Sequence, residues 1–237
     1  MLQDIDLHVA SGEIVAVLGP SGCGKSTLLR LVGGLEIPAA GAIRANPKSG
    51  NDRIAYVFQD ATLLPWRTVA ANVALPLEHR DIPPSERHRR VADALRRVNL
   101  ADFADAYPKT LSGGMRQRTS IARALVVEPA ALMLDEPFAS LDEASRERLL
   151  ADLLRLWSES RYTCLYVTHD PCEAVRIGHR VVVLSARPGA VREVFRIDVP
   201  FGERRPDHPQ IARLCDRLWA LVRNAAGSGA KAVADAD

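Results

Sequence analysis

Residues 13–32 read Glu13-Ile-Val-Ala-Val-Leu18, then Gly19-Pro-Ser-Gly-Cys-Gly24, then Lys25-Ser-Thr-Leu-Leu-Arg-Leu-Val32. The first six residues are a short apolar run of the length and composition of a buried parallel strand. The glycine-rich segment breaks that strand, and Lys25–Val32 resumes with a helical apolar stripe. Strand, glycine loop and helix in this order fit the GxxxxGK[ST] pattern of a phosphate-binding loop. Glycines at these positions let backbone N–H groups turn inward around phosphate oxygens, and the helix presents its positive end to the same oxygens. Gly19, Pro20, Ser21, Gly22, Cys23, Gly24, Lys25, Ser26 and Thr27 are therefore the candidate triphosphate-binding residues. Lys25 has the reach for the β- and γ-phosphates, and the Ser26 hydroxyl is a candidate Mg²⁺ ligand.

Working outward, Gly41–Ala45, Ile54–Phe58, Ala131–Leu134, Thr163–Thr168 and Arg180–Leu184 read as further strands, with a Pro/Gly-rich turn at 46–52. A helix is expected from about Glu143 to Glu159 between the third and fourth of these strands. Alternating strands and helices argue for a mainly parallel, three-layer α/β sheet. Residues 60–127 differ in character. Pro76, Pro83 and Pro84 punctuate them, and Ser85 is the expected N-cap of a helix running to about Val98. Its arginines (Arg87, Arg89, Arg90, Arg96, Arg97) are diluted by Glu86 and Asp93, which reads as a solvated face. The expected organisation is a core of 1–59 and 128–200 with a helical insertion at 60–127. An amphipathic extension at 201–223 follows, with a helix near Pro209–Val222, and then a small, polar tail at 224–237 expected to be disordered.

A second motif, Leu132-Met-Leu-Asp135-Glu136-Pro137, is an apolar strand ending in two carboxylates. The C-terminal ends of strands face the ligand in an open α/β sheet. Asp135 is placed there to hold Mg²⁺ through its water shell, and Glu136, one residue on, to polarise an attacking water. Together with the phosphate loop this predicts a nucleoside triphosphatase.

A third motif narrows the class. In Leu111-Ser112-Gly113-Gly114-Met115-Arg116-Gln117-Arg118 a serine N-cap and two glycines open a helix, making a second anion site at a helix N-terminus. With these residues the chain resembles the ATP-binding-cassette family, whose signature is LSGGQ; Met115 stands where glutamine is commonest. The resemblance runs along nearly the whole chain. By it, Gln59 is similar to the family's Q-loop glutamine and a Mg²⁺ ligand, Ser140-Leu141-Asp142 to the D-loop, and His169 to the switch histidine. It implies a P-loop NTPase sheet with a small antiparallel β subdomain and an inserted helical signature subdomain. It also implies that two copies of the chain sandwich two ATP molecules head to tail. Ser112, Gly113 and Gly114 of one copy would then face the phosphate loop of the other. Glu136 would act as general base, with His169 and Gln59 completing the catalytic set.

Finer resemblance points to importers. Leu64-Pro-Trp-Arg-Thr-Val69 and Leu184-Ser-Ala-Arg-Pro-Gly189 look like segments of the ATPases that serve nitrate, sulfonate and taurine uptake. This implies a transmembrane permease as partner, a periplasmic or extracellular solute-binding protein as indirect partner, and residence at the cytoplasmic face of the membrane. The stretch Leu63–Val73 would form the groove that receives a permease helix. A cassette of DNA repair, chromosome structure or translation is the competing class. The residues between Gln59 and Leu111 leave room for a small helical subdomain but no coiled-coil arm.

Composition agrees with a globular enzyme. The 237 residues are 47% hydrophobic and 25% charged, a balance that excludes disorder of the whole chain. With 31 basic and 29 acidic residues the net charge of +2 is no footprint of nucleic-acid binding, and none is expected. Apolar runs such as Ala130–Leu134 fall far short of the about 20 residues needed to span a bilayer, and no secretory signal is visible. Cys23, Cys164, Cys172 and Cys215 show no metal-ligand spacing and read as small packing residues. Family members place an adenine-stacking aromatic upstream of the phosphate loop, yet none of residues 1–18 is Phe, Trp or Tyr. The expectation is a native start further upstream; the alternative is a truncated cassette of weak nucleotide affinity.

Overall fold

The computed structural model describes residues 2–44 and 54–234, of which 226–234 by their backbone alone. In chain order the elements are β1 (Ile14–Leu18), α1 (Lys25–Val32), β2 (Ile54–Val57), α2 (Val69–Ala74), α3 (Pro84–Arg97) and α4 (Gly113–Leu125). Then follow β3 (Ala131–Asp135), α5 (Glu143–Ser160), β4 (Thr163–Thr168), α6 (Pro171–Ile177), β5 (Arg180–Leu184), β6 (Val191–Arg196) and α7 (Pro209–Ala234). The chain forms two compact units, residues 1–44 with 163–237 and residues 45–162.

In the first unit β1 lies between β4 and β5, parallel to both, with Val17 level with Val167 on one side and Val182 on the other. Both edges of β1 are paired and both faces are covered, all five of its residues being at most 1% exposed. Strand β6 runs antiparallel to β5 with a register shift at Val183/Leu184. The α/β class and its mainly parallel pairing thus hold, and β5–β6 is the antiparallel pair among the described residues. Sequence reading missed β6. The signal was there: a Pro-Gly turn at 188–189 followed by β-branched and aromatic residues at 191–195.

The start of α6 is fixed by Asp170, whose Oδ1 accepts from the N–H groups of Cys172 (2.8 Å) and Glu173 (3.3 Å). The buried Glu173 carboxylate accepts from Tyr166 (2.6 Å) and Thr168 of β4. Helix α7 packs on α6 and buries Ile211, Cys215, Leu218 and Ala225, an apolar stripe at helical spacing. Its backbone continues helical to Ala234, beyond the Val222 limit expected from sequence. Arg204, 6% exposed, points its guanidinium at the carbonyls of Val175 (2.9 Å), Gly178 (2.6 Å) and Val199 (2.8 Å). This cation satisfies chain ends that no strand or helix pairs.

In the second unit β2 and β3 pair in parallel, Tyr56 level with Met133. Helices α2, α3 and α4 pack on one another, and α4 also on β2 and α5. Helix α3 starts at Pro84 with Pro83 as N-cap, two residues before the expected cap at Ser85. Proline suits the first turn because its missing N–H would be unsatisfied there. Arg89 and Arg90 are matched by Glu86, Arg96 by Asp93 and Arg97 by Glu159, so most of the basic run is neutralised.

One expected strand does not form. Residues 41–44 are irregular and exposed, and Gly41 has φ +84°. A strand needs a partner edge and an apolar face to bury, and Ile43 is instead 45% exposed. Ala45 and the expected turn at 46–52 lie outside the described residues.

Candidate functional site

The phosphate-loop motif sits as its sequence requires, between β1 and α1. Gly22 (φ +75°) and Gly24 (φ +108°) occupy the left-handed region that side chains resist, so the loop's curl depends on them. Gly24 is the residue before α1, and its carbonyl accepts from the Leu28 N–H at 2.8 Å, the first helical bond. Lys25 is 5% exposed and donates its Nζ to the carbonyls of Gly19 (2.9 Å) and Pro20 (3.2 Å). A buried ammonium held by its own loop is pre-positioned for an anion seated in that loop. Ser26 and Thr27 follow on the first turn of α1, half-buried.

The loop is backed by residues of the β5–β6 turn. Arg187 Nε donates to the Gly22 carbonyl at 2.8 Å. A Cβ on Gly189 would stand 2.1 Å from the Cys23 carbonyl oxygen, and one on Gly19 would stand 2.9 Å from Cys23 Sγ and 3.2 Å from Leu184. Burial pushes the Cys23 thiol up, partly countered by the Lys25 charge, which keeps it a packing residue. His169 is exposed at the C-terminal end of β4, directly before the Asp170 cap of α6.

In the second unit Asp135 ends β3 and is 8% exposed, and Tyr56 of β2 donates its hydroxyl to Asp135 Oδ2 at 3.0 Å. Glu136 follows at φ +44°, a backbone region that costs a non-glycine residue about 1 kcal/mol or more. Its carbonyl accepts from the Ala139 N–H at 3.2 Å, a tight turn that takes the chain away from the strand. Gln59 is exposed two residues beyond the end of β2. Its segment is braced from α4, where Gln117 Nε2 donates to the Phe58 carbonyl (3.3 Å) and Arg123 to the carbonyls of Ala61 and Thr62 (both 2.9 Å). Sequence reading missed Arg123, Gln117 and Tyr56; nothing in their spacing marks them.

Ser112 caps α4 as expected, its Oγ accepting from the Met115 N–H at 3.2 Å. Gly113 and Gly114 form the first turn of α4, and a Cβ on Gly113 would come within 3.1 Å of Leu141. A shallow cavity of about 160 Å³ opens there, lined by Ser112, Gly114, Arg118, Ser145 and Arg148. Hydroxyls, a helix N-terminus and two guanidinium groups give it an anion-binding character. A larger cavity, lined by His8, Glu13, His179 and Arg180, lies at the N-terminal ends of β1 and β5, the opposite end from Gly19.

The donor set also suits a hard divalent cation. Of the expected Mg²⁺ ligands, the Ser26 hydroxyl lies in the first unit and the Gln59 amide oxygen and Asp135 carboxylate in the second; each is an oxygen donor, the class Mg²⁺ takes. No helix among the described residues is long and apolar enough to cross a membrane.

Comparison with known proteins agrees with the three motifs. A family model described as ABC transporter matches residues 2–139. The aliphatic sulfonates import ATP-binding protein SsuB 1 of Xanthomonas axonopodis pv. citri is 43% identical over 228 residues, covering 93% of this chain and 90% of the relative. The nitrate import ATP-binding protein NrtD of Synechocystis is 38% identical over 245 residues, covering 98% and 92%. Among solved structures, a dimeric post-hydrolysis state of an ATP-binding cassette bound to ADP and Pi superposes with a TM-score of 0.71. That structure is 33% identical, with 84% of this chain and 91% of the other covered. A phosphate loop of left-handed glycines, a strand ending in Asp-Glu and a serine-capped signature helix thus occur in a chain that belongs to the ABC transporter family, as an ATP-hydrolysing cassette.

Proposed function

We propose that this cassette powers an importer, driving uptake of a small anion such as nitrate, a sulfonate or taurine through a transmembrane permease. The observation that carries this reading is the pairing, in one chain, of a preformed phosphate loop around Lys25 with the Ser112-capped helix of the signature segment. Similarity to sulfonate and nitrate import proteins over more than nine-tenths of the chain supports the importer branch.

Two copies work head to tail. The loop Gly19–Thr27 and Lys25 of one copy hold the ATP phosphates, and Ser112, Gly113 and Gly114 of the second cover the γ-phosphate. Binding energy thereby becomes subunit closure, and hydrolysis removes the charge that held the copies together. Glu136 takes a proton from the attacking water as that oxygen bonds to the γ-phosphorus and the bond to ADP breaks. His169 steadies the γ-phosphate and Gln59 the water. Ser26, Asp135 and Gln59 would hold Mg²⁺, which when bound offsets charge on the β- and γ-oxygens.

Permease contact falls to the segment before α2. The buried Asn72 clamps that loop, accepting from the Leu64 N–H (2.7 Å) and donating to the carbonyls of Leu64 (3.1 Å), Arg67 (3.1 Å) and Thr68 (3.0 Å). Trp66, held in this clamped loop, is 72% exposed, unusual for a tryptophan and suited to an apolar helix of a partner. Such a protein sits on the cytoplasmic face of the membrane, with the solute-binding protein reached only through the permease.

The test is co-purification from native membranes, with identification of the associated permease and binding protein, followed by uptake of labelled nitrate and sulfonate in cells lacking this chain. Loss of uptake of one such anion, and a cysteine at position 66 cross-linking to the permease, are the expected outcomes. Unchanged uptake of every small anion tried would overturn the importer reading.

A further inference from the structure

A phosphate loop works by turning its N–H groups inward, which turns its carbonyls outward, where they need partners of their own. Here the partner of one of them is supplied from a distant part of the sequence. Arg187, 165 positions after Gly22, donates its Nε to the Gly22 carbonyl at 2.8 Å. The donor is itself set by a closed turn. Ser185 Oγ donates to the Pro188 carbonyl (2.9 Å) and accepts from the Ala190 N–H (3.0 Å), and the Ser185 N–H donates to the Ala190 carbonyl (2.9 Å). The same turn presses Gly189 against the Cys23 carbonyl so closely that no side chain fits at position 189. Leu184, at the end of β5, lies so close to Gly19 that a Cβ there would be 3.2 Å from it.

The loop's left-handed Gly22 is thus contacted at its carbonyl by a cation, and the next residue, Cys23, is backed by the same turn. Gly22 is also where the backbone has most freedom to relax, because glycine has the largest conformational space to lose. We propose that Arg187 is a positioning residue for ATP binding: through the Gly22 carbonyl it holds the phosphate loop in its binding-competent curl. This inference rests on the reading that Gly19–Thr27 binds the triphosphate. It requires the hydrogen bond and not merely the charge, since the guanidinium is exposed and its long-range field is screened.

The experiment compares three variants for ATP hydrolysis and nucleotide affinity, with Lys25→Ala as the check on the parent reading. Glutamine carries its amide nitrogen the same number of bonds from Cα as arginine's Nε, so Arg187→Gln keeps the donor without the charge. Arg187→Lys keeps the charge and moves the donor, and Arg187→Ala removes both. Arg187→Ala is expected to raise KM for ATP about fivefold with kcat within about twofold, the effect of one loop-ordering hydrogen bond at an exposed site. Its nucleotide-free melting temperature should match wild type. Arg187→Gln should lie closer to wild type than Arg187→Lys. An unchanged KM in Arg187→Ala, a fall in its nucleotide-free melting temperature together with kcat, or a KM for Arg187→Gln no closer to wild type than that of Arg187→Lys would each overturn the proposal. Lys25→Ala retaining ATP binding would instead overturn the parent reading, so the two failures are distinguishable.

Discussion

The hydroxyl of Tyr56 donates to Oδ2 of Asp135 at 3.0 Å, across the parallel pair of β2 and β3. One carboxylate oxygen is thereby pinned from its own unit, and the carboxylate's orientation at the end of β3 is fixed by a neighbouring strand. Partners that orient a metal-ligating carboxylate typically matter 10–100-fold, about as much as a weak ligand.

Replacing Tyr56 with Phe keeps the ring and removes that donor. The Mg²⁺ concentration for half-maximal ATP hydrolysis should rise about tenfold, with the rate at saturating Mg²⁺ little changed. A Mg²⁺ titration of hydrolysis reads this directly. An unaltered half-saturation would show that the Tyr56 hydrogen bond does not orient a Mg²⁺ ligand.

Glu136→Gln keeps the shape of the side chain and removes the carboxylate proposed as the general base. Hydrolysis should fall by about 10²–10⁴-fold, the usual contribution of a general base. ATP should still drive two copies together, because phosphate binding and closure do not need the carboxylate. Size-exclusion chromatography with and without ATP, beside a phosphate-release assay, separates the two effects. Hydrolysis at the wild-type rate would strip Glu136 of its role.

Acid stability should depend on Glu13. Burial pushes its carboxyl up, but the two hydrogen bonds from Arg180 (2.5 and 3.0 Å), the Ala10 N–H and the Arg180 charge outweigh this and leave it below the usual carboxylate range. A carboxylate whose folded pKa is depressed stabilises the fold above its unfolded pKa and loses that contribution as pH falls through the folded value. Stability should therefore decline below about pH 4.3 partly through this group. In Glu13→Gln the neutral-pH stability should drop by about 1 kcal/mol, the worth of a charged hydrogen bond discounted for partial exposure. Denaturant melts at pH 7 and pH 3.5 test it; an equal loss at both would show that the ionised form is not what matters.

Arg204→Met fills similar space but leaves the carbonyls of Val175, Gly178 and Val199 without their donor. Burial already pushes this guanidinium down to about 10, the mark of a cation removed from water. Orphaning three buried acceptors should cost about 3 kcal/mol or more, seen as a lower melting temperature with KM for ATP unchanged in the folded fraction. A melting temperature equal to wild type would mean water replaces the side chain at no cost.

How far the sequence could be read depended on whether a feature is local. Gly19–Thr27, Asp135-Glu136 and Ser112–Gly114 are contiguous, and their flanking strand and helices follow from short-range periodicity, so they were legible. Strand β1 was legible because IVAVL has no polar position to spare. The braces were not: Arg187 reaches Gly22 and Arg123 reaches Ala61 across sequence gaps, and arginine on a turn or helix reads as a solvated charge until its partner is seen. The segment at 41–44 failed for the opposite reason. Its composition suits a strand, but pairing is a property of the neighbour, which the local residues do not specify.

The discontinuous first unit has a consequence in time. Strand β1 ends at Leu18, and the strands that pair with it begin at Thr163 and Arg180. On a ribosome adding about 5–20 residues per second, β1 is made roughly seven to thirty seconds before β4 can reach it. Through that interval its five apolar residues and both edges are unpaired, the sort of segment that associates with other chains. The phosphate loop cannot be held by the β5–β6 turn until still later. Nucleotide binding therefore becomes available only once residues 185–190 have been made, and a nascent chain halted before residue 163 should be captured by chaperones and should not retain ATP.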